Sequence, residues 1–389
     1  MKILHLADLH FGKSLHAYSL IESGDQPDWA EKTLARIHAE KPKAVVIAGD
    51  VYDRGVPSRE AVQLLDRFLT RIAKEEGIPV LLTAGNHDGG ERLEFARNLL
   101  HDSGVYIAGT VSKEMVHLTL KDEYGPVNFW LMPYVFPAAV REALGLEDDA
   151  INSYTDAVRA LLSAQPIDFS QRNVILAHQM VLHMGQEPEH SSSETVVGGI
   201  GGVDSAVFDG FDYVALGHIH GAQKVGDEHI RYAGAPLCYH FSEATQKKGL
   251  LFVNIGQKGS PLTFDTQKTE ALHKVRPTMI GTFEEIMEME RQSQARNEFV
   301  RVELTDAVVP HEAREKLTAM FATHGCRLLD LVAAQRNVIT FSSTIHHLED
   351  LSPDEHFSAF YREQRSEDLS ADDQVVIKVL AQQVMENAD

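Results

Sequence analysis

Ala44-Val45-Val46-Ile47-Ala48-Gly49-Asp50 is a run of apolar residues that ends, without a break, on a glycine and a carboxylate. A short apolar run closed by turn chemistry reads as a buried strand. The carboxylate just past its end falls where an open α/β sheet forms its sites, outside the carboxyl ends of the strands. Four more stretches read the same way. The run at 3–7 leads to Asp8 and His10, and the run at 80–84 to Gly85-Asn86-His87-Asp88. The run at 174–177 leads to His178, and that at 213–216 to Gly217-His218-Ile219-His220. Five segments can therefore converge on one sheet edge without any long local motif.

Working outward, apolar runs at 2–7, 44–48, 79–84, 128–132, 173–177 and 213–216 alternate with helix-like stretches at 28–39, 58–74, 91–100 and 154–164. This alternation is α/β. Ser58 is placed as an N-cap. The Gly-rich residues 197–202 read as a loop, and the runs at 230–233, 249–255 and 262–264 as strands closing a second sheet. The expectation is a two-sheet sandwich flanked by helices over residues 1–275. The pattern then changes to helix 283–293, strand 299–304, helix 311–324 and strand 327–332. That is a small α+β capping domain over 276–343. Residues 344–389 hold two helix candidates, 353–362 and 371–386. The second has an apolar face of Val375, Val376, Val379, Leu380 and Val384 and little chain left to bury it against. It is expected to dock on another protein.

With 389 residues and 43% hydrophobic content the chain is globular, and its length calls for two or three domains. Cys238 and Cys326 fall in different predicted domains, so no bridge is expected, which fits a reducing cytoplasm. No apolar run approaches the roughly 20 residues of a membrane helix. The short apolar start runs into Asp8 and His10, so it is not read as a signal peptide. The net charge of -21 argues against a protein that coats nucleic acid electrostatically. It leaves room for cations bound at one place and for a partner with its own basic surface. No Gly-x-x-x-x-Gly-Lys-Ser/Thr loop is present, so ATP hydrolysis of the P-loop kind is not expected.

The strand-end residues have a consistent chemistry. Two carboxylates (Asp8, Asp50), one amide oxygen (Asn86) and four imidazoles (His10, His178, His218, His220) form a mixed O/N set without thiolate. It suits manganese, iron or zinc. Seven ligands are too many for one such ion and suit two that share a bridging carboxylate. Two divalent ions outweigh two carboxylates, so the centre stays positive and attracts a phosphodiester. His5, His16, His38, His101 and His117 are read as ordinary core or surface residues.

Asp8-Leu9-His10, Gly49-Asp50-Val51-Tyr52-Asp53, Gly85-Asn86-His87-Asp88, Ala177-His178-Gln179 and Gly217-His218-Ile219-His220 together resemble the calcineurin-like metallophosphoesterase superfamily. The likeness covers roughly the first 255 residues. Within it, the opening 3–12, Gly49–Arg54 with Val56-Pro57-Ser58, and 213–220 with 230–236 resemble the SbcD family, the nuclease subunits of bacterial SbcCD complexes. The resemblance implies a phosphoesterase domain, a capping domain and terminal helices that bind the coiled-coil base of an SbcC-like ATPase. It implies a homodimer within a heterotetramer, with apolar faces near 58–68 and 91–100 as candidate contacts. It also implies hydrolysis of DNA phosphodiesters, endonucleolytic on single strands and hairpins and exonucleolytic on duplex ends.

Carried over by position, Asp8, His10, Asp50 and His220 would hold the first of two metal ions, manganese foremost. Asp50, Asn86, His178 and His218 would hold the second. His87 would face the scissile phosphate and either stabilise it or protonate the leaving oxygen, with Asp88 orienting it. Asp53 stands where archaeal and eukaryotic relatives have a histidine, so no second catalytic histidine is carried over. A structural pairing with Arg54 or Arg59 is one reading of it. Candidate basic residues of the cap are Arg291, Arg296, Arg301, Arg314, Lys316 and Arg327, most of them read as solvated. Two other readings stay open. One is a small-molecule phosphodiesterase or phosphatase with the same centre; the other is a DNA-end tether whose catalysis is dispensable.

Overall fold

The computed structural model describes residues 1–147, 150–191 and 201–333, with four helical positions at 373–374 and 377–378. Met1–Ala334 is one compact unit and Gln335–Asp389 a second. Apart from those four positions, the expected tail helices at 353–362 and 371–386 lie outside the described residues, as do residues 197–200 of the Gly-rich loop and the end of the proposed cap, 334–343.

The chain opens the first sheet with β1 (Lys2–Leu6), β2 (Ala44–Ala48), β3 (Val80–Thr83) and β4 (Val105–Ala108). It builds the second from β5 (Val116–Asp122), β6 (Gly125–Met132), β7 (Arg172–His178), β8 (Tyr213–Gly217), β9 (Gln223–Val225) and β10 (Asp227–Tyr232). It then returns to the first with β11 (Gly249–Asn254) and β12 (Thr263–Lys268). The sheet orders are β12-β11-β1-β2-β3-β4 and β9-β10-β8-β7-β6-β5. Strands β1 to β4 are parallel, as are β6, β7, β8 and β10.

Between the sheets lies a dry layer that includes Ile3, Val46, Leu81, Phe129, Val174, Leu176, Tyr213 and Val253. The outer face of the first sheet packs Leu4, Val45 and Leu82 against Trp29, Ile37, Leu64 and Phe68 of helices α1 (Asp25–Glu40) and α2 (Arg59–Thr70). The outer face of the second packs Ile175, Val214 and Leu216 against Val158 and Leu161 of α3 (Tyr154–Ser163). Strands covered on both faces must be apolar at every position, which is why they read as unbroken runs rather than alternations. Ser58 does cap α2, its hydroxyl accepting the Ala61 N–H at 3.2 Å.

Several elements depart from the sequence reading. Of the three late runs expected in the second sheet, only β10 joins it; β11 and β12 pair antiparallel beside β1 in the first. An apolar run states that a strand is buried, not which sheet buries it. The helix expected over 91–100 breaks into Gly90–Leu93 and Arg97–Asp102, because Ala96 takes a left-handed φ of 61°. The α+β unit has β13 (Met279–Gly281), β14 (Glu298–Leu304) and β15 (Arg327–Ala333), paired in parallel. Helices α4 (Phe283–Arg291) and α5 (Ala313–Ala322) are their crossovers, so the connections are of the βαβ kind. Its core includes Ile286, Val302, Leu317 and Phe321, while Phe299 packs into the core of the first sheet. Cys238 and Cys326 are free thiols.

At the amino ends of the strands, opposite the ligand-bearing ends, a buried ion pair ties the two sheets. Arg172 Nη2 donates to Asp122 Oδ1 at 2.5 Å and to Gly125 O at 2.8 Å, and Nη1 donates to Gly256 O at 2.9 Å. The terminal ammonium of Met1 lies 2.9 Å from Asp122 Oδ2. Asp122→Asn would leave a buried guanidinium and ammonium without their counter-charge. It is expected to cost about 3 kcal/mol, read as a lower urea midpoint at unchanged slope. An unchanged midpoint would show the pair to be neutral for stability.

Candidate metal centre

All seven sequence-predicted ligands meet at the carboxyl ends of β1, β2, β3, β7 and β8. Parallel pairing aligns those ends: Gly217 sits opposite His178 in the register of β8 and β7. The loops past the strands lace together, with Asp8 N–H donating to Gly49 O at 3.1 Å and His10 N–H to Asp50 O at 2.9 Å. The Asp8 carboxylate accepts the His218 N–H at 3.0 Å. These tight turns place Asp8, His10 and Asp50 at φ of 53°, 42° and 48°, in the left-handed region that L-residues avoid. Glycine is required where the loops touch. A Cβ on Gly85 would lie 2.2 Å from Asp50 Oδ1, and one on Gly217 1.8 Å from Ala48 O.

Asp8, His10 and His220 present ligand atoms within 4.8 Å of one another, and so do Asp8, Asp50 and His178. Asp50 Oδ2 lies 3.6 Å from His10 Nε2 and 3.3 Å from His178 Nε2, between the two groups. Asn86 Oδ1 is 3.1 Å from His178 Nε2 and 3.1 Å from His218 Nδ1. Asp8, His10, Asp50, His178 and His220 are buried, whereas Asn86 is exposed and His87 and His218 half-buried. The centre therefore opens to solvent on the side of Asn86, His87 and His218.

Burial sets the protonation of this cluster. It pushes the Asp8 carboxyl up to about 7, with the nearby histidines acting against it and the Asp50 charge adding to it. It holds His10 well below the ordinary range and lowers His218 to about 3, so both rings are neutral. Burial would lower His178 too, but the Asp50 and Asp8 carboxylates raise it to about 9. Asp50 is correspondingly held below the usual carboxylate range by His178, against its burial.

The donors fit two divalent cations. His10 Nε2 and His220 Nε2 face each other at 3.3 Å inside a buried pocket, an arrangement that a shared cation relieves. His178 gives its Nδ1–H to Ala48 O at 2.8 Å and His220 its Nδ1–H to Glu243 Oε1 at 2.9 Å. Each hydrogen bond turns Nε2 toward the carboxylates. Glu243, Lys248 and Gln26, whose amide donates to His10 O at 2.8 Å, escaped the sequence reading. None stands in a motif, and each is brought in only by the fold.

One expected role changes. Asp88 does not orient His87: its carboxylate takes the N–H groups of Val51, Tyr52 and Gly85 at 3.1, 2.9 and 2.9 Å. It braces one ligand loop against another, and burial raises its carboxyl to about 6. His87 is oriented instead by the Asp53 carbonyl, 3.0 Å from Nδ1, and by its own N–H to Asp50 Oδ1 at 2.8 Å. The Asp53 carboxylate pairs with Lys13 at 2.7 Å and with exposed Arg54 at 3.5 Å, not with Arg59. Most of the cap's candidate cations are engaged, among them Arg291 with Glu288, Arg301 with Asp330, Lys316 with Glu312 and Arg327 over the Tyr18 ring.

The family model described as calcineurin-like phosphoesterase matches residues 1–222. A second model, SbcD_C, described as the type 5 capsule protein repressor C-terminal domain, matches residues 269–365. Among solved structures, a protein of Thermus thermophilus is similar at 14% identity and a TM-score of 0.37, over 68% of this chain and 98% of its own. A dimetal phosphatase from Danio rerio is similar at 11% identity and a TM-score of 0.39, over 69% of this chain and 96% of its own.

The proton on His178 and a cation compete for the same space. Cation binding to the metal-free protein must release that proton, so affinity should climb as pH rises toward the folded-state value of about 9. Calorimetric titration with Mn²⁺ from about pH 6 to about pH 8 should show steadily tighter binding with proton release. Affinity independent of pH over that window would remove His178 from the ligand set.

Proposed function

This chain belongs to the calcineurin-like phosphoesterase family, and we propose that within it the chain is a two-metal DNA nuclease subunit. The observation that carries the metal reading is the placement of Asp50 between two groups of buried ligands. Asp8, His10, Asp50 and His220 hold one ion, and Asp50, Asn86, His178 and His218 the other, with manganese the preferred metal. Nuclease action, rather than work on a small phosphoester, is supported by the SbcD_C match that follows the catalytic domain. The parts are then a nuclease domain at 1–275, a cap at 276–343 and helices at 344–389 for an SbcC-like ATPase. DNA is the substrate, DNA repair and recombination the setting, and the cytoplasm the place. Among the described residues no helix is long and apolar enough to cross a membrane.

When bound, the two cations supply positive charge for the phosphate oxygens and a means of acidifying the attacking water. The chain's residues do the rest. Asp50, held by the His87 N–H, fixes the spacing of the two ligand groups. His87 has its Nδ1–H committed to the Asp53 carbonyl, so the proton it could deliver to the leaving oxygen is the second proton of an imidazolium, on Nε2. Asn86, His87 and His218 line the solvent side, from which a strand can reach the centre.

A closed single-stranded DNA circle tests this, incubated with the purified chain and Mn²⁺, Mg²⁺ or chelator. Cutting that needs Mn²⁺ and falls about 100-fold or more in His87→Ala at unchanged metal content is expected. Turnover of bis-p-nitrophenyl phosphate with the circle left intact would point to a small-molecule phosphodiesterase. Full biological function of His87→Ala would favour a tether.

The homodimer finds support in apolar side chains left in water: Phe95 and Leu99 are 81% and 74% exposed, and Val62 on α2 is exposed as well. Exposed apolar side chains that form one contiguous patch mark contact surfaces. Phe95→Glu combined with Leu99→Glu is expected to convert a sedimenting dimer to a monomer. A monomer without any substitution would overturn the assignment.

A further inference from the structure

We propose that Glu243, backed by Lys248, is a positioning residue of the metal centre: it holds the His220 ring so that Nε2 is the ligating atom. This rests on the two-metal reading above. Glu243 is fully buried, on a short turn that follows β10. Its Oε1 accepts the His220 Nδ1–H at 2.9 Å, and its Oε2 accepts from Lys248 Nζ at 2.8 Å and from the Tyr239 N–H at 3.2 Å. Lys248 Nζ also donates to the His220 carbonyl at 3.0 Å. The pair thus grips His220 twice, Glu243 by its ring and Lys248 by its backbone.

The chemistry of the pair suits that task. An isolated buried carboxylate would be costly, and Lys248 supplies the counter-charge that keeps Glu243 ionised. An ionised partner on Nδ1 selects one tautomer and makes Nε2 a better donor to a cation. Lys248 balances the added negative charge, so the centre keeps its attraction for phosphate. Among the described residues, the other ligand imidazoles have no such partner outside the ligand set: His178 leans on a backbone carbonyl, and His218 Nδ1 faces Asn86. Lys248 and the Tyr239 N–H both occupy Oε2, which leaves Oε1 for the ligand ring.

The experiment is calorimetric titration of the metal-free chain with Mn²⁺, unaltered and as Glu243→Gln, with thermal melts of both in chelator. The expected result is a 10- to 100-fold loss of affinity for one of two ions, with the other ion staying close to its unaltered affinity; the metal-free melting temperature falls, because Lys248 loses its counter-charge. Unchanged affinity for both ions would overturn the proposal. So would equal weakening of both ions, since that is the mark of a structural pair. Uptake of fewer than two ions by the unaltered chain would sink the two-metal reading itself, and this proposal with it. Should the substitution prevent folding, the imidazole nitrogen NMR spectrum of the unaltered metal-free chain decides. His220 protonated on Nδ1 is required; protonation on Nε2 overturns the assignment.

Discussion

Two carboxylates, Asp8 and Asp50, are buried side by side at the strand ends, and much of the surrounding structure follows from keeping them aimed and ionised. Removing a carboxylate from water costs several kcal/mol unless donors or cations replace the lost hydration. Asp50 has the His87 N–H and the His178 and His10 rings. Asp8 has the His218 N–H, yet burial still drives it up to about 7, so its charge is incompletely compensated by protein alone. That deficit is what a divalent ion between Asp8, His10 and His220 would remove. The glycines follow from the same constraint. Gly49, Gly85 and Gly217 are the positions where a side chain would strike His178, Asp50 or Ala48.

The strain at these residues has the same origin. Asp8, His10 and Asp50 adopt left-handed backbone conformations, each costing on the order of 1 kcal/mol or more. They persist because the two loops hydrogen-bond to each other and their strands are buried on both faces. The support is uneven. The half of the centre built by His10 and His220 has a second layer in Gln26, Glu243 and Lys248. The half built by Asn86 and His218 is open to solvent, and its polar contacts run mainly among the ligands themselves. A rigid inner half and an accessible outer half suit a site that must hold an ion and also admit a large substrate.

The convergence of the strand-end residues was legible because the fold rule that gathers strand ends needs no long-range information. Each motif could be read within its own ten residues. What the sequence hid was everything that depends on which segments become neighbours. Glu243 lies 23 residues beyond His220 in an unremarked turn, and only the path of the chain after β10 makes it a ring partner. Asp88 sits beside His87 in the chain, but its side chain reaches backward to three backbone N–H groups. Adjacency in sequence was mistaken for contact. The assignment of β11 and β12 failed for a related reason. Hydrophobic runs report burial and are silent about partners, so a strand that crosses back to β1 looks the same as one that stays.

The chain's charge then shapes how it could work on a polyanion. At -21 the surface as a whole repels nucleic acid, and screening leaves that repulsion felt over about 8 Å at physiological salt. The α+β unit adds little to offset it, because Arg291, Arg301 and Lys316 are each spent on an acidic neighbour. Two cations held at Asp8 and Asp50 would outweigh these carboxylates and leave the centre itself positive. A site of that kind discriminates strongly for a phosphodiester already delivered to it but contributes little to finding or gripping a long duplex. On the nuclease reading, grip on long DNA would have to come from a separate basic surface, such as one on the proposed partner subunit.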